Sequence, residues 1–226
     1  MYGSRIINQG AYNKFKKNGI DVVYDSEEKV THTKIVLIDD RHVIIGSHNW
    51  TAGSFYAYDD KSVYIESKEL AKKTYEYFNK LWIEYVTANI EPYSIIDIEG
   101  IGEEYSNKLQ KVGIKTTLDL LLKTMTPEDR KKLAQSTGIS SKLILRWANL
   151  ADLMRIKGVS EEYSDLLEKV GVDTVPELAQ RNPDNLHKAI EKFDISKTHL
   201  VRQKPSRNKV KSWVEKAKKL ERILKY

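Results

Sequence analysis

One stretch constrains this chain more than any other: HTKIVLIDDRHVIIGSHN, from His32 to Asn49. In it His32, Lys34, Asp39, Gly46, Ser47 and Asn49 punctuate two β-branched apolar runs. KIVLI reads as a buried strand and VII at 43–45 as its neighbour. Strand side chains alternate faces, so His32 and Lys34 share one face. Asp39 stands seven residues past His32, an odd offset that turns it to the opposite face. It is expected to support the turn DDRH and not to touch a ligand. Ser47 and Asn49 share parity, so the strands should converge an imidazole, an ammonium and two neutral hydrogen-bonding side chains.

That set suits attack on a phosphodiester. A neutral imidazole is nucleophilic near neutrality, and an ammonium stabilises the charge of the transition state, helped by Ser47 and Asn49. Written as H-x-K-x4-D-x6-G-S-x-N, the stretch resembles the signature of the phospholipase D-like family, the HKD motif. The resemblance implies a covalent phosphohistidine on His32, and a second motif whose histidine serves as general acid. No other H-x-K occurs in the chain. Similarity to the single-motif nucleases therefore implies a homodimer whose two His32 side chains face each other across a two-fold axis. It also implies an acidic residue that orients the nucleophile. Asp60, thirteen residues past Ser47 in YDDKSVYI, is the best candidate; Asp59 could substitute, and a solvated turn is the plainer reading of both. The expected catalytic set is His32, Lys34, Ser47, Asn49 and Asp60, with Asp39 in support.

With 226 residues, 40% apolar and 31% charged, the chain reads as globular and long enough for two domains. No apolar run reaches the length of a membrane span, and no leader follows Met1, so a cytoplasmic protein without a membrane partner is expected. There are no cysteines, and the five histidines lack metal-ligand spacing, so neither metal nor cofactor is expected. Segment 8–18 predicts a weak helix ending near Gly19, and DVVY at 21–24 a strand. Only 31 residues precede His32, fewer than the family domain normally carries, so part of its sheet is expected to be missing and edges exposed. WTAGSFYAYDD reads as a loop or short helix, KSVYIES as a strand, and Ser67 as the cap of a helix running to about Thr87. The expected fold is α/β over 1–92, a partial phospholipase D-like sheet with packing helices, followed by an all-α domain over 93–226.

The second half repeats. IEGIGEEYSNKLQKVGIKTTLDLL at 98–121 aligns with IKGVSEEYSDLLEKVGVDTVPELA at 156–179, a shift of 58 residues. Trp147 and Trp213 lie 66 apart, so the second copy holds eight extra residues, assigned to 199–208. Gly113 and Gly171 look like C′ residues, and Thr126-Pro127 and Asn182-Pro183 like N-cap and N1 pairs. IEGIG followed by a helix resembles the helix-hairpin-helix motif, which implies that backbone N–H groups near Gly100 and Gly102 meet a DNA phosphate. The second copy has Gly158-Val159-Ser160 instead, which suits a purely structural hairpin, and the alternative for both hairpins is that they only pack helices. Glu99, Glu103 and Glu104 oppose a strong phosphate grip at the first hairpin.

Charge is concentrated at the end. The net +6 comprises +8 within 199–226 and −2 elsewhere. Arg202, Lys204, Arg207, Lys209 and Lys211 are the candidate nucleic-acid contacts, against the alternative of an ordinary solvated helix face and a frayed tail. The leading reading is a metal-independent endonuclease acting on DNA or RNA, DNA foremost. Two others stand beside it: a phospholipase D acting on phospholipid, with Trp50, Phe55 and Tyr56 as interfacial residues, and an inert DNA-binding or dimerisation module.

Overall fold

The computed structural model describes residues 2–24, 32–88, 90–197 and 201–226. The chain forms two compact units, Met1–Ala88 and Asn89–Tyr226.

The first unit begins with α1 (Tyr2–Lys17), a longer helix than segment 8–18 predicts. It stops where Gly19 takes φ +73°, with the Asn18 side chain donating to the Lys14 carbonyl at 2.8 Å. Residues 21–24 are not a strand; Tyr24 instead stacks on Tyr12 at 4.7 Å between ring centroids, so a ring contact decides a segment whose β-branched composition favoured a ladder. A three-stranded antiparallel sheet follows: β1 (Lys34–Ile38), β2 (His42–Gly46) and β3 (Ser62–Glu66), in that spatial order. Asp39 and Asp40 both take positive φ, +50° and +51°, and the Arg41 N–H donates to the Ile38 carbonyl at 3.2 Å. Two left-handed central residues make the turn whose twist suits a hairpin, and aspartate tolerates that region. Thr51 caps the short α2 (Ala52–Tyr56). Ser67 accepts from the Leu70 N–H at 3.2 Å and opens α3 (Lys68–Thr87), which packs on β1 and β2.

This unit has little interior. Among its described residues only Val43 and Ala71 are fully buried hydrophobics, while Val63, Tyr64, Tyr75 and Phe78 are exposed. Among the described residues β1 and β3 are both sheet edges. A groove of about 810 Å³ runs between β1 and α3, lined by Val22, Ile35, Leu37, Phe78 and Trp82 among others.

The second unit is all helical, and its repeat is structural. α4 (Glu103–Lys111), α5 (Thr117–Lys123), α6 (Pro127–Thr137) and α7 (Ser141–Met154) are followed by α8 (Glu161–Lys169), α9 (Val175–Gln180), α10 (Pro183–Lys192) and α11 (Arg207–Ala217). Three residues join α6 to α7, whereas α10 and α11 are joined by 193–206, so the extra length precedes α11. Of the span expected to hold it, residues 199 and 200 lie outside the described residues and Arg207 already belongs to α11.

Each copy is built on one tryptophan. Trp147 and Trp213 are buried, and Tyr105 and Tyr163 meet their rings, each at 5.1 Å between centroids. Below the rings the chain turns at Gly100 (φ +88°) and Gly158 (φ +98°). The Trp213 indole donates to the Gly158 carbonyl at 3.1 Å. Arg146 ties the copies together, donating to Asp165 at 2.7 Å and to both oxygens of Glu168.

The tail is docked, not frayed. Ile223 and Leu224 are buried, the Lys225 N–H donates to the Met125 carbonyl at 2.8 Å, and the buried Arg130 donates to the Lys225 carbonyl at 2.8 Å. Arg155, whose side chain is buried, pairs with Asp152 at 2.7 Å and donates to the Glu221 carbonyl at 3.0 Å. Burial pushes the Asp152 carboxyl up and the Tyr226 hydroxyl up to about 12.

Trp147→Ala and Trp213→Ala should each lower unfolding free energy by about 3–5 kcal/mol, the usual cost of emptying an aromatic core site. Urea unfolding of the two variants measures this, and equal losses are the mark of equivalent repeats.

Candidate active site

The sheet register builds the site. Lys34 pairs across to Gly46, and Gly46 to Ser62, forming one row at the end of the sheet. A Cβ at Gly46 would collide with the Ser62 hydroxyl and lie 2.5 Å from the Lys61 carbonyl oxygen. The strands therefore close at this row because residue 46 has no side chain.

Just past the row, Ser47 is fixed by three bonds. Its N–H donates to the Lys61 carbonyl at 3.0 Å, its hydroxyl donates to Asp60 at 2.7 Å, and the Lys61 N–H donates to that hydroxyl at 3.1 Å. Asp60 is thus the partner of Ser47. Among the described residues it makes no hydrogen bond to the His32 ring, the contact that the resemblance implied. The bond from Ser47, above all, holds the Asp60 carboxyl below the usual aspartate range, and Ser54, His48 and Lys34 add to it. His48 enters here, its Nδ1 2.8 Å from the Ser62 hydroxyl. No motif position marks His48 or Ser62, and only the register brings them in.

His32 lies two residues ahead of Lys34, exposed at the same end. The Lys34 ammonium donates to the His32 carbonyl at 3.0 Å, so the two residues are neighbours in space as well as in sequence. Asn49 is exposed beyond Ser47, and its carbonyl accepts from the Thr51 N–H at 2.7 Å. Asp39 is at the other end of β1, in the turn. One end of the sheet therefore gathers His32, Lys34, Ser47, His48 and Asp60, with Asp39 remote from them. Among the described residues no group of acidic and histidine side chains is arranged to hold a metal ion.

The candidate nucleic-acid contacts of the second unit are mostly engaged. Arg207 makes a two-pronged pair with Asp184 at 2.6 and 2.9 Å. Lys204 donates to the Glu191 carbonyl, and the Lys209 ammonium stands 4.1 Å from the Tyr163 ring centroid. Arg202 and Lys211 are exposed. Gly100 serves the turn beneath Trp147, where a Cβ would meet Arg146 Nη1 at 3.1 Å. Gly102 is the uncapped residue before α4, whose first turn carries Glu103 and Glu104.

Residues 99–220, more than half of the chain, match the family model described as "Domain of unknown function (DUF4332)". The chain belongs to that family. Residues 2–82 match the model described as "Cardiolipin synthase, PLD-like domain", so the first unit is PLD-like and the protein joins a PLD-like domain to a DUF4332 domain. No curated protein and no solved structure matches the chain. Phosphodiester-related chemistry is what the PLD-like family supports for the first unit. Among the described residues no helix of this DUF4332 protein is long and apolar enough to cross a membrane.

Two outcomes are expected. Gly46→Ala should open the β2–β3 row, read as faster hydrogen exchange of the Ser47 and Lys61 amides. Because the folded Asp60 carboxyl holds its proton less tightly than the unfolded one, its stabilisation is present above the ordinary aspartate pKa and is lost as pH falls through the lowered value. Ser47→Ala should raise the Asp60 midpoint toward that of an ordinary aspartate, measured by NMR titration of its carboxyl carbon.

Proposed function

We propose that the PLD-like unit cleaves phosphodiesters of nucleic acid, DNA foremost, through a phosphohistidine on His32. The observation that carries this reading is the single row Lys34–Gly46–Ser62, beside which His32, Ser47 and Asp60 gather. The neutral imidazole attacks phosphorus, and the P–O bond to the leaving oxygen breaks as a general acid protonates it. Lys34 neutralises the non-bridging oxygens, with Ser47 and Asn49 as further hydrogen-bonding groups. Water then attacks the phosphohistidine, giving its proton to the same acid–base group and releasing the imidazole. That group is the His32 of a second copy, which makes the protein an obligate homodimer for catalysis; PLD-like proteins often act as dimers.

Asp60 acts in this scheme as a positioning residue for Ser47. The exposed Arg202 and Lys211 of the DUF4332 unit supply electrostatic attraction, and Arg207 joins them by exchanging its exposed partner Asp184 for phosphate.

A second reading, cleavage of a phospholipid head group, is favoured by the cardiolipin synthase description of the matching domain model. Plasmid nicking against head-group release from vesicles separates the two.

His32→Ala should lower nicking by on the order of a thousandfold or more while DNA binding persists. EDTA should leave the rate unchanged, and inhibition by it would count against the phosphohistidine route. Replacing Arg202, Lys211 and Arg207 together should weaken binding and flatten its dependence on salt, measured by titration across ionic strengths.

A further inference from the structure

Between Asn49 and Asp60 lies an uncharged segment, WTAGSFYAY at 50–58, that turns its rings outward. Trp50 is 59% exposed, Phe55 53%, Tyr58 70% and Tyr56 90%. Scattered apolar residues on a surface are ordinary, but four aromatic rings within nine residues at the mouth of a candidate site are not. The segment is also held in shape. Thr51 caps α2, accepting from the Ser54 N–H at 3.4 Å, and Ser54 is buried. Gly53 lets Tyr58 fold back, since a Cβ there would lie 3.3 Å from its ring.

Two of these rings, Phe55 and Trp50, connect to the Lys34 end of the sheet. His48, bonded to Ser62 in the Lys34 row, stands 5.3 Å from the Phe55 ring, and Phe55 stands 5.9 Å from Trp50. Residues 50–58 contain no leucine, isoleucine, valine or methionine. The exposed surface offers flat π faces, and the link through His48 sets them beside the row where a phosphate backbone would lie.

We propose that Trp50, Phe55, Tyr56 and Tyr58 form a ledge that stacks the unpaired bases of a single-stranded nucleic acid whose backbone crosses the Lys34 end of the sheet. This rests on the phosphodiester reading of the same site and adds its strand preference. In a duplex the bases are stacked on one another and closed to such a ledge, whereas every unpaired base presents a face whatever its sequence. The ledge therefore selects for unpaired strands without reading bases.

The test uses the full chain carrying His32→Ala, so that binding is read without cleavage. Anisotropy of a fluorescein-labelled oligothymidylate is compared with that of a labelled duplex of equal length. Single strands should bind at least roughly tenfold tighter than duplex, and adding Trp50→Ala with Tyr56→Ala should remove roughly tenfold or more of that affinity. Trp50→Phe should restore most of the lost affinity. Equal binding of single strand and duplex, or an unchanged affinity in the double variant, overturns the proposal. So does Trp50-dependent binding to vesicles of equal phosphatidylglycerol and phosphatidylcholine, or loss of a dimer with the same substitutions. Hydrolysis of bis(p-nitrophenyl) phosphate by the unsubstituted chain reports His32 chemistry separately, so its absence fails the phosphodiester reading while the binding comparison still decides this one.

Discussion

The approach of β3 to β2 at Gly46 is the constraint on which the first unit turns. With any side chain there, the Ser62 hydroxyl and the Lys61 carbonyl would have to retreat. The three bonds around Ser47, the lowered pKa of Asp60 and the docking of His48 on Ser62 all lie beyond that point. Gly46 is the last residue of β2, and a glycine there brings flexibility and nothing to pack. Here that loss is offset by a polar cluster that could not close otherwise. The motif thus combines groups that act on a ligand with one absence that lets them meet.

Much of this was legible in the sequence, for a physical reason. The run KIVLI, the DDR turn and Ser67 ahead of an amphipathic helix are local signals, and β1, its hairpin and the capped α3 follow them. Asp39 lies in the turn at the far end of β1 from Lys34, so length along the strand, and not the alternation of faces, keeps the two apart. The register of β3 on β2 was not legible, because at the site it depends on residues 13–16 positions apart closing on one another. Asp60 therefore went to Ser47 and not to the histidine, and His48 and Ser62 carried no signal at all. Segment 21–24 shows the same limit from the other side: strand-like residues formed no ladder, and a ring stack holds Tyr24 instead.

In the second unit the 58-residue repeat announced matching helices, and α4 and α8 start and end 58 residues apart, because a repeat carries its own packing with it. Composition misled about charge. Counting lysines and arginines finds a basic patch, but cannot see that Asp184, the Glu191 carbonyl and the Tyr163 ring already engage three of them. The glycines of the two hairpins likewise carry a packing duty, each lying against an indole. Gly158, with Ser160 in place of the second glycine, keeps that contact intact, so the turn's packing does not depend on the second glycine.

The docked tail has a consequence for how the molecule is made. Ile223, Leu224 and the backbone of Lys225 complete the surroundings of Met125 and Arg130, a hundred residues upstream. The first helical copy is therefore closed by contacts about a hundred positions apart along the chain, so its folding is coupled to that long loop closure and is slow beside that of a unit built from local contacts alone.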